Sequence, residues 1–302
     1  MVIAAVAVRR ALDDGGGDRA NDGTGRVVLI CATDLLAACG ELGGEVEVRA
    51  QTATDTAAAI ADGTLPTDVD GWITSSAWVE VVRGRSPDGL GDVEALATSP
   101  TVVATAPGRF EAIAALCGGQ DVWACLGAAA GRDWADLGDG SHPEWRDLKV
   151  GLTDPDSATG LGVLASASAG FFGSTDFAAN DPAFGDFESW LATLAEPSRQ
   201  GDPDPALTLA TRSGAYSAAG SVAASAERLQ SSGVAVIEPA SPVSVTVVAA
   251  QIAGHPGLPD LGSARGRLEA DGWSRAPVGA VAPTLKPGVM AALHTLWRAV
   301  TT

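Results

Sequence analysis

Cationic side chains are scarce in this chain of 302 residues. Lysine occurs only at Lys149 and Lys286, and Lys and Arg together number 19 against 37 Asp and Glu, for a formal net charge of −18. A phosphate backbone calls for a dense cationic face, so nucleic acid is excluded as a partner. Histidine is limited to His142, His255 and His294. The first two sit in Ser-His-Pro-Glu and Gly-His-Pro-Gly turns and the third on a helical stretch, which leaves triad chemistry without a credible base. No apolar run approaches the roughly 20 residues that cross a bilayer. The G-x-S-x-G elbow, the S-x-x-K pair and the phosphate-loop motif are all missing.

Two near-motifs fail on spacing. Gly160-Leu161-Gly162-Val163-Leu164-Ala165 matches a loose G-x-G-x-x-A fingerprint. Its first glycine, however, lies too far past the strand end at Thr153 for the tight turn that a dinucleotide needs. Asp154 and Asp156 resemble the start of a calcium loop, but its twelfth position falls on Ala165, which has no ligating atom. No metal and no cofactor is expected. Cysteine appears as two local pairs, Cys31 with Cys39 and Cys117 with Cys125. Neither pair has C-x-x-C spacing or a nearby histidine. Short-loop disulfides and buried free thiols are the two readings, and disulfides would place the chain in an oxidising compartment.

What is present is core material, with 46% hydrophobic residues in a chain long enough for about two domains. Residues 1–25 read as a flexible tail or a truncated anchor: Val2–Val8 is a short apolar run, and Asp13–Gly25 is a Gly/Asp tether. Beyond it a unit of buried strand, hydroxyl-bearing turn and helix repeats. The strands Arg26–Cys31, Glu45–Ala50, Val69–Ile73 and Leu148–Leu152 each run into a turn carrying Thr, Ser or Asp. A fifth unit is expected at Ala215–Ala219, with Gly220-Ser221 as its turn and Val222–Gln230 as its helix. Phe110–Leu126 reads as one helix, and further helices are expected near Gln251 and over Val289–Ala299. Alternation at this pace implies an α/β fold with doubly wound, mainly parallel sheets. Extended crossings near Thr101–Thr105 and Val236–Val243 nest one unit inside the other, as two lobes on a hinge. The expected boundaries are 26–104 for the first part of lobe 1, 105–238 for lobe 2, and 239–302 for the return to lobe 1.

The ligand cleft of such a fold lies at the carboxyl ends of its strands. Helix N-termini with hydroxyls can hold an anion there without lysine or arginine. Plain N-capping accounts for any single turn equally well.

The element order, with Gly71-Trp72-Ile73-Thr74-Ser75-Ser76-Ala77-Trp78 and Val150-Gly151-Leu152-Thr153-Asp154-Pro155-Asp156-Ser157-Ala158-Thr159-Gly160, resembles the type II extracellular solute-binding proteins. These are the substrate receptors of ABC importers, and the nearest branch is the molybdate and sulfate-like one. The resemblance implies a two-lobe periplasmic-binding-protein-like fold and an extracytoplasmic monomer. It also implies a small polar solute, oxyanions included, as ligand and a membrane permease as partner. Carried over position by position, its ligand contacts fall on Thr33, Thr52, Thr54, Ser75 and Ser76 in lobe 1. In lobe 2 they fall on Ser157, Thr159, Gly220 and Ser221.

Asp34 departs from that pattern. Beside the first turn, its carboxylate caps a helix, repels an oxyanion or attracts a cation. Trp78 either packs into its lobe or stacks on a ligand at the cleft mouth. A sensory or interaction module without transport is the alternative role. An enzyme on this scaffold would have Asp34 beside Ser75 as its only base and nucleophile.

Overall fold

The run Val27–Ala32 is β-branched or aliphatic almost throughout and is buried from Val28 onward, as a central strand covered on both faces must be. The computed structural model describes residues 26–138, 142–181, 184–198, 202–212, 214–276, 285–286 and 288–301. The expected tail or anchor over 1–25 lies outside the described residues.

Strand β1 (Val27–Ala32) passes through a short 3-10 turn, Thr33–Leu35, into helix α1 (Leu36–Cys39). Strand β2 (Val46–Gln51) then leads to α2 (Ala53–Ala61), and β3 (Gly71–Ser75) to α3 (Ser76–Arg85). Both β2 and β3 pair with β1 in parallel, one on each side. Strand β4 (Leu90–Thr105) is the first crossing. Up to Pro100 it pairs with the returning strand of the first sheet, and from Thr101 it pairs within a second sheet.

The second unit opens with α4 (Phe110–Leu116) and α5 (Val122–Ala129), followed by β5 (Val150–Gly151) and α6 (Gly160–Phe172). Next come α7 (Phe184–Ala195), α8 (Pro205–Thr211), β6 (Ala218–Val222), α9 (Ala223–Glu227) and β7 (Ala235–Ile237). The chain then returns through β8 (Ser244–Ile252) to the first sheet, adds α10 (Gly262–Ala270) and β9 (Ser274–Arg275), and ends in α11 (Val289–Thr301). Strand order along the whole path is β2-β1-β3-β8-β4-β6-β5, with β7 and β9 also paired to β4. Helix α11 packs on α3 of the first unit and on α6 and α7 of the second.

The two-lobe α/β architecture and its two extended crossings are therefore present, but the sheets are mixed rather than mainly parallel. Among the described residues β1–β2, β1–β3 and β5–β6 run parallel, while the pairings of β4 and β8 are antiparallel. The cause is the hinge. A strand that enters the second sheet and another that comes back must oppose each other, and each then sets the direction of its neighbours.

Three local expectations are corrected. Phe110–Leu126 is two helices, because Gly118 and Gly119, the latter at φ +85°, turn the chain between them. Gln251 lies in β8 rather than a helix, since Ala249 and Ala250 extend the pairing with β3. Gly220 and Ser221 lie inside β6 rather than in a turn. A Cβ on Gly220 would come within 2.5 Å of Val163 and 2.7 Å of Trp123, so close packing explains that glycine.

The four cysteines form two disulfides, Cys31–Cys39 and Cys117–Cys125. The first ties the end of β1 to the end of α1 and so encloses the Thr33–Leu35 turn. The second closes over the Gly118-Gly119 turn.

Candidate functional site

The segment Asp154–Thr159 joins β5 to α6 and bonds Asp34, Thr54, Trp78, His294 and Arg298 of the first unit. Its tight shape is set locally. Asp154 accepts from the Asp156 amide at 3.0 Å, its carbonyl accepts from the Ser157 hydroxyl at 2.7 Å, and Ser157 in turn accepts from the Gly160 amide at 2.9 Å. A Cβ on Gly160 would lie 2.0 Å from the Asp154 carbonyl oxygen, so glycine is required where the loop enters the helix. Burial pushes the Asp154 carboxyl above its usual range.

Two carboxylates hold this loop to the first unit. Asp156 accepts from Thr54 Oγ1 at 2.8 Å, bonds His294 Nε2 at 2.6 Å and accepts from Arg298 at 2.9 Å. Its carbonyl also accepts from the Thr54 amide at 3.3 Å. The hydrogen bond from His294 is the main cause that holds the Asp156 carboxyl down at about 2, against the cost of its burial. Trp78, buried in α3, donates its indole N–H to the Ser157 carbonyl at 2.8 Å and meets His294 edge-on.

Asp34 reaches across from the turn after β1. It accepts from the Ala158 amide at 3.0 Å, and from the Thr159 amide and hydroxyl at 2.9 Å each. A carboxylate from one unit thus caps the helix α6 of the other, where unpaired N–H groups and the helix dipole favour negative charge.

Beside Asp34 the seam opens into a cavity of about 180 Å³, lined by Asp34, Thr159, Asp204, Ser221, Asp271 and Trp273 among others. Arg228 also faces it and pairs with Asp271, which Arg267 pairs as well. Asp204 caps α8 through the Leu207 amide.

The residues named from the sequence divide by location. Thr54 and Thr159 bridge the seam, as above. Thr159 and Ser221 line the cavity, and the Ser221 hydroxyl donates to the Val222 carbonyl at 3.3 Å. Thr52 is the cap of α2, accepting from the Asp55 amide, and Ser157 works within its own loop. Thr33 is exposed beside Asp34. Ser75 and Ser76 are buried at the join of β3 and α3, and the hydroxyls of Ser75 and its neighbour Thr74 have no hydrogen-bond partner among the described residues. Gly220 lends its carbonyl to Thr153 Oγ1 at 3.0 Å. The pairing of Asp34 with Ser75 does not form, since Asp34 spends both oxygens on α6.

Participants that the sequence reading did not assign are Asp156, His294 and Arg298 at the sealed part of the seam, and Asp204, Arg228, Asp271 and Trp273 at the cavity. His294 and Arg298 stand four apart, a spacing that places both on one face of α11. That spacing was the available signal for a shared acidic partner.

No curated protein matches the chain. Among solved structures, the ferric binding protein from Campylobacter jejuni superposes with a TM-score of 0.54 at 11% identity, covering 91% of this chain and 99% of that one. The periplasmic binding protein AfuA from Actinobacillus pleuropneumoniae, solved with exogenous fructose-6-phosphate bound, gives a TM-score of 0.50 at 14% identity over 91% of this chain and 83% of that one. At such identities the likeness is one of fold. The family of bacterial extracellular solute-binding proteins matches residues 40–295, well over half of the sequence, and the chain belongs to it.

Proposed function

We propose that the protein captures a small polar solute between its two lobes and presents it to the permease of an ABC importer outside the cytoplasmic membrane. It acts as a monomeric receptor rather than an enzyme. The observation that carries this reading is the seam itself. One loop of the second unit docks on turns of the first, and the docking leaves a cavity walled by both. A solute bound there contacts both lobes and so favours their closed arrangement. We assign 26–104 and 239–302 to lobe 1 and 105–238 to lobe 2, with α11 lying across both.

Of the ligand classes that the molybdate and sulfate-like resemblance leaves open, a polar solute other than an oxyanion fits better. The anion-favouring N-terminus of α6 is already taken by Asp34. Isothermal calorimetry on ligand-free protein against oxyanions, sugars, amino acids and amines is the test. Saturable heat with one class supports a receptor, and no heat with any small solute sinks that role.

A further inference from the structure

We infer that Asp34 is a built-in anion: its carboxylate takes the place of an external oxyanion at the start of α6, holds the two lobes together without solute, and bars oxyanions from that position. The inference rests on the receptor reading above and concerns how the same seam is closed.

Three donors of the second unit converge on this one side chain of the first. The Ala158 amide donates to Oδ1 at 3.0 Å, and the Thr159 amide and hydroxyl both donate to Oδ2 at 2.9 Å. Two successive amides and a hydroxyl at a helix start are the donor set that an oxyanion would use. Ala158 is fully buried, so its amide is shut off from water and depends on Asp34 as acceptor. Helix α6 is 13 residues long, and its dipole favours the negative charge at this end.

The first unit keeps the carboxylate free for this contact. Asp34 stands in the turn that leads into α1, yet no side chain caps that turn or α1, so its carboxylate is not spent on its own helix. The Cys31–Cys39 disulfide closes the loop around it, and both cysteines are buried. A tethered anion has a high effective concentration at the α6 amides, and a free one has to outcompete it. Wild type therefore closes on itself, and an incoming oxyanion finds its donors occupied. Without Asp34 the position would suit an anion better still, because Arg228 lines the adjoining cavity as a cation.

The experiment uses the solute-free full chain, wild type and Asp34→Gly, with formate and sulfate as probes and chloride at matched ionic strength as control. Hydrogen exchange of the Ala158 and Thr159 amides reads the contact, and small-angle scattering reads lobe closure. Wild type should be compact, with both amides protected, and should respond to neither probe. In Asp34→Gly the two amides should exchange about tenfold or more faster and the radius of gyration should rise. Formate or sulfate should then restore both saturably, whereas chloride should not. Asp34→Asn guards against a turn disturbed by glycine: it should also lose protection, but without rescue, because its own amide group still fills the position. Circular dichroism checks that each variant is folded.

Amide exchange or a radius of gyration that neither variant alters overturns the inference. So does an Asp34→Gly protein that formate and sulfate leave unprotected. These outcomes leave the receptor reading standing, since that reading is decided by calorimetry on wild type.

Discussion

The seam between the lobes has two ends of opposite character. At one, Asp156 is enclosed by Thr54, His294 and Arg298, and the loop it belongs to takes the Trp78 indole on its backbone. At the other, Asp34 and Asp204 accept from amides and have no ion-pair partner among the described residues, Arg228 pairs with Asp271, and space remains between them. Both ends use carboxylates to join the units. The difference is how far the partners fill the seam. At the first end three side chains enclose Asp156, and at the second a space of about 180 Å³ remains.

The largest effect is expected from the disulfide that frames the open end. Replacing Cys31 and Cys39 together by Ala removes a short-loop cross-link and costs about 3 kcal/mol in chemical unfolding. It should also weaken solute binding, because the turn carrying Asp34 lies inside that loop. The matched Cys117→Ala and Cys125→Ala pair should cost a similar amount yet leave binding unchanged, since that loop belongs to neither end of the seam. Equal losses of binding from both pairs would erase the distinction.

Asp156→Ala breaks the sealed end. It takes from His294 its near acceptor and from Arg298 one of its partners, and the cost, discounted for the exposure of Arg298, is about 2 kcal/mol. Small-angle scattering of the solute-free variant should show a larger radius of gyration as the lobes part. An unchanged radius would mean that the other contacts across the seam, those of Asp34, Trp78 and Arg228 among them, hold the closure.

How far the sequence foretold this arrangement depends on the range of the interaction. Strand, turn and helix at β1, β2 and β3 were legible because short β-branched or apolar runs followed by hydroxyl-bearing turns are local properties. So were the two disulfides, whose partners lie eight residues apart. The direction of β4 and β8 was not, since it follows from crossing between sheets. Gly220 and Ser221 look like a turn in isolation, and only the packing of Val163 and Trp123 keeps them in a strand. At the site, Asp34 was visible as a departure, but sequence offered it α1 to cap. The helix it does cap begins over a hundred residues later. His294 and Asp156 face the same difficulty, with 138 positions between them.

The sealed end also carries a pH signature. The Asp156 carboxyl titrates at about 2 in the folded protein against an ordinary 3.8, so it is a depressed acid. Its contribution of about 2 kcal/mol is fully present above the unfolded value and is lost as pH falls from there through about 2. Asp156→Asn keeps an acceptor but not the charge. The stability gap between wild type and this variant should therefore be widest above pH 4 and close toward pH 2. A gap that is flat across that range would show that the charge of Asp156 contributes nothing.

The finest comparison is between two threonines on the same helix start. Thr52 caps α2 through the Asp55 amide, whereas Thr54 points its hydroxyl to Asp156 on the other unit. Thr52→Ala should cost about 1 kcal/mol, the usual worth of a lost cap, with no change in radius of gyration or solute affinity. Thr54→Ala should cost a similar amount but shift the open-to-closed balance, because it removes a charge-assisted bond made only when the lobes meet. Solute then has to do more of the closing, so affinity falls for Thr54→Ala alone. Were Thr52→Ala to lower affinity as much, the capping hydroxyl would belong to the ligand site after all, and the division between local caps and bridging contacts would have to be redrawn.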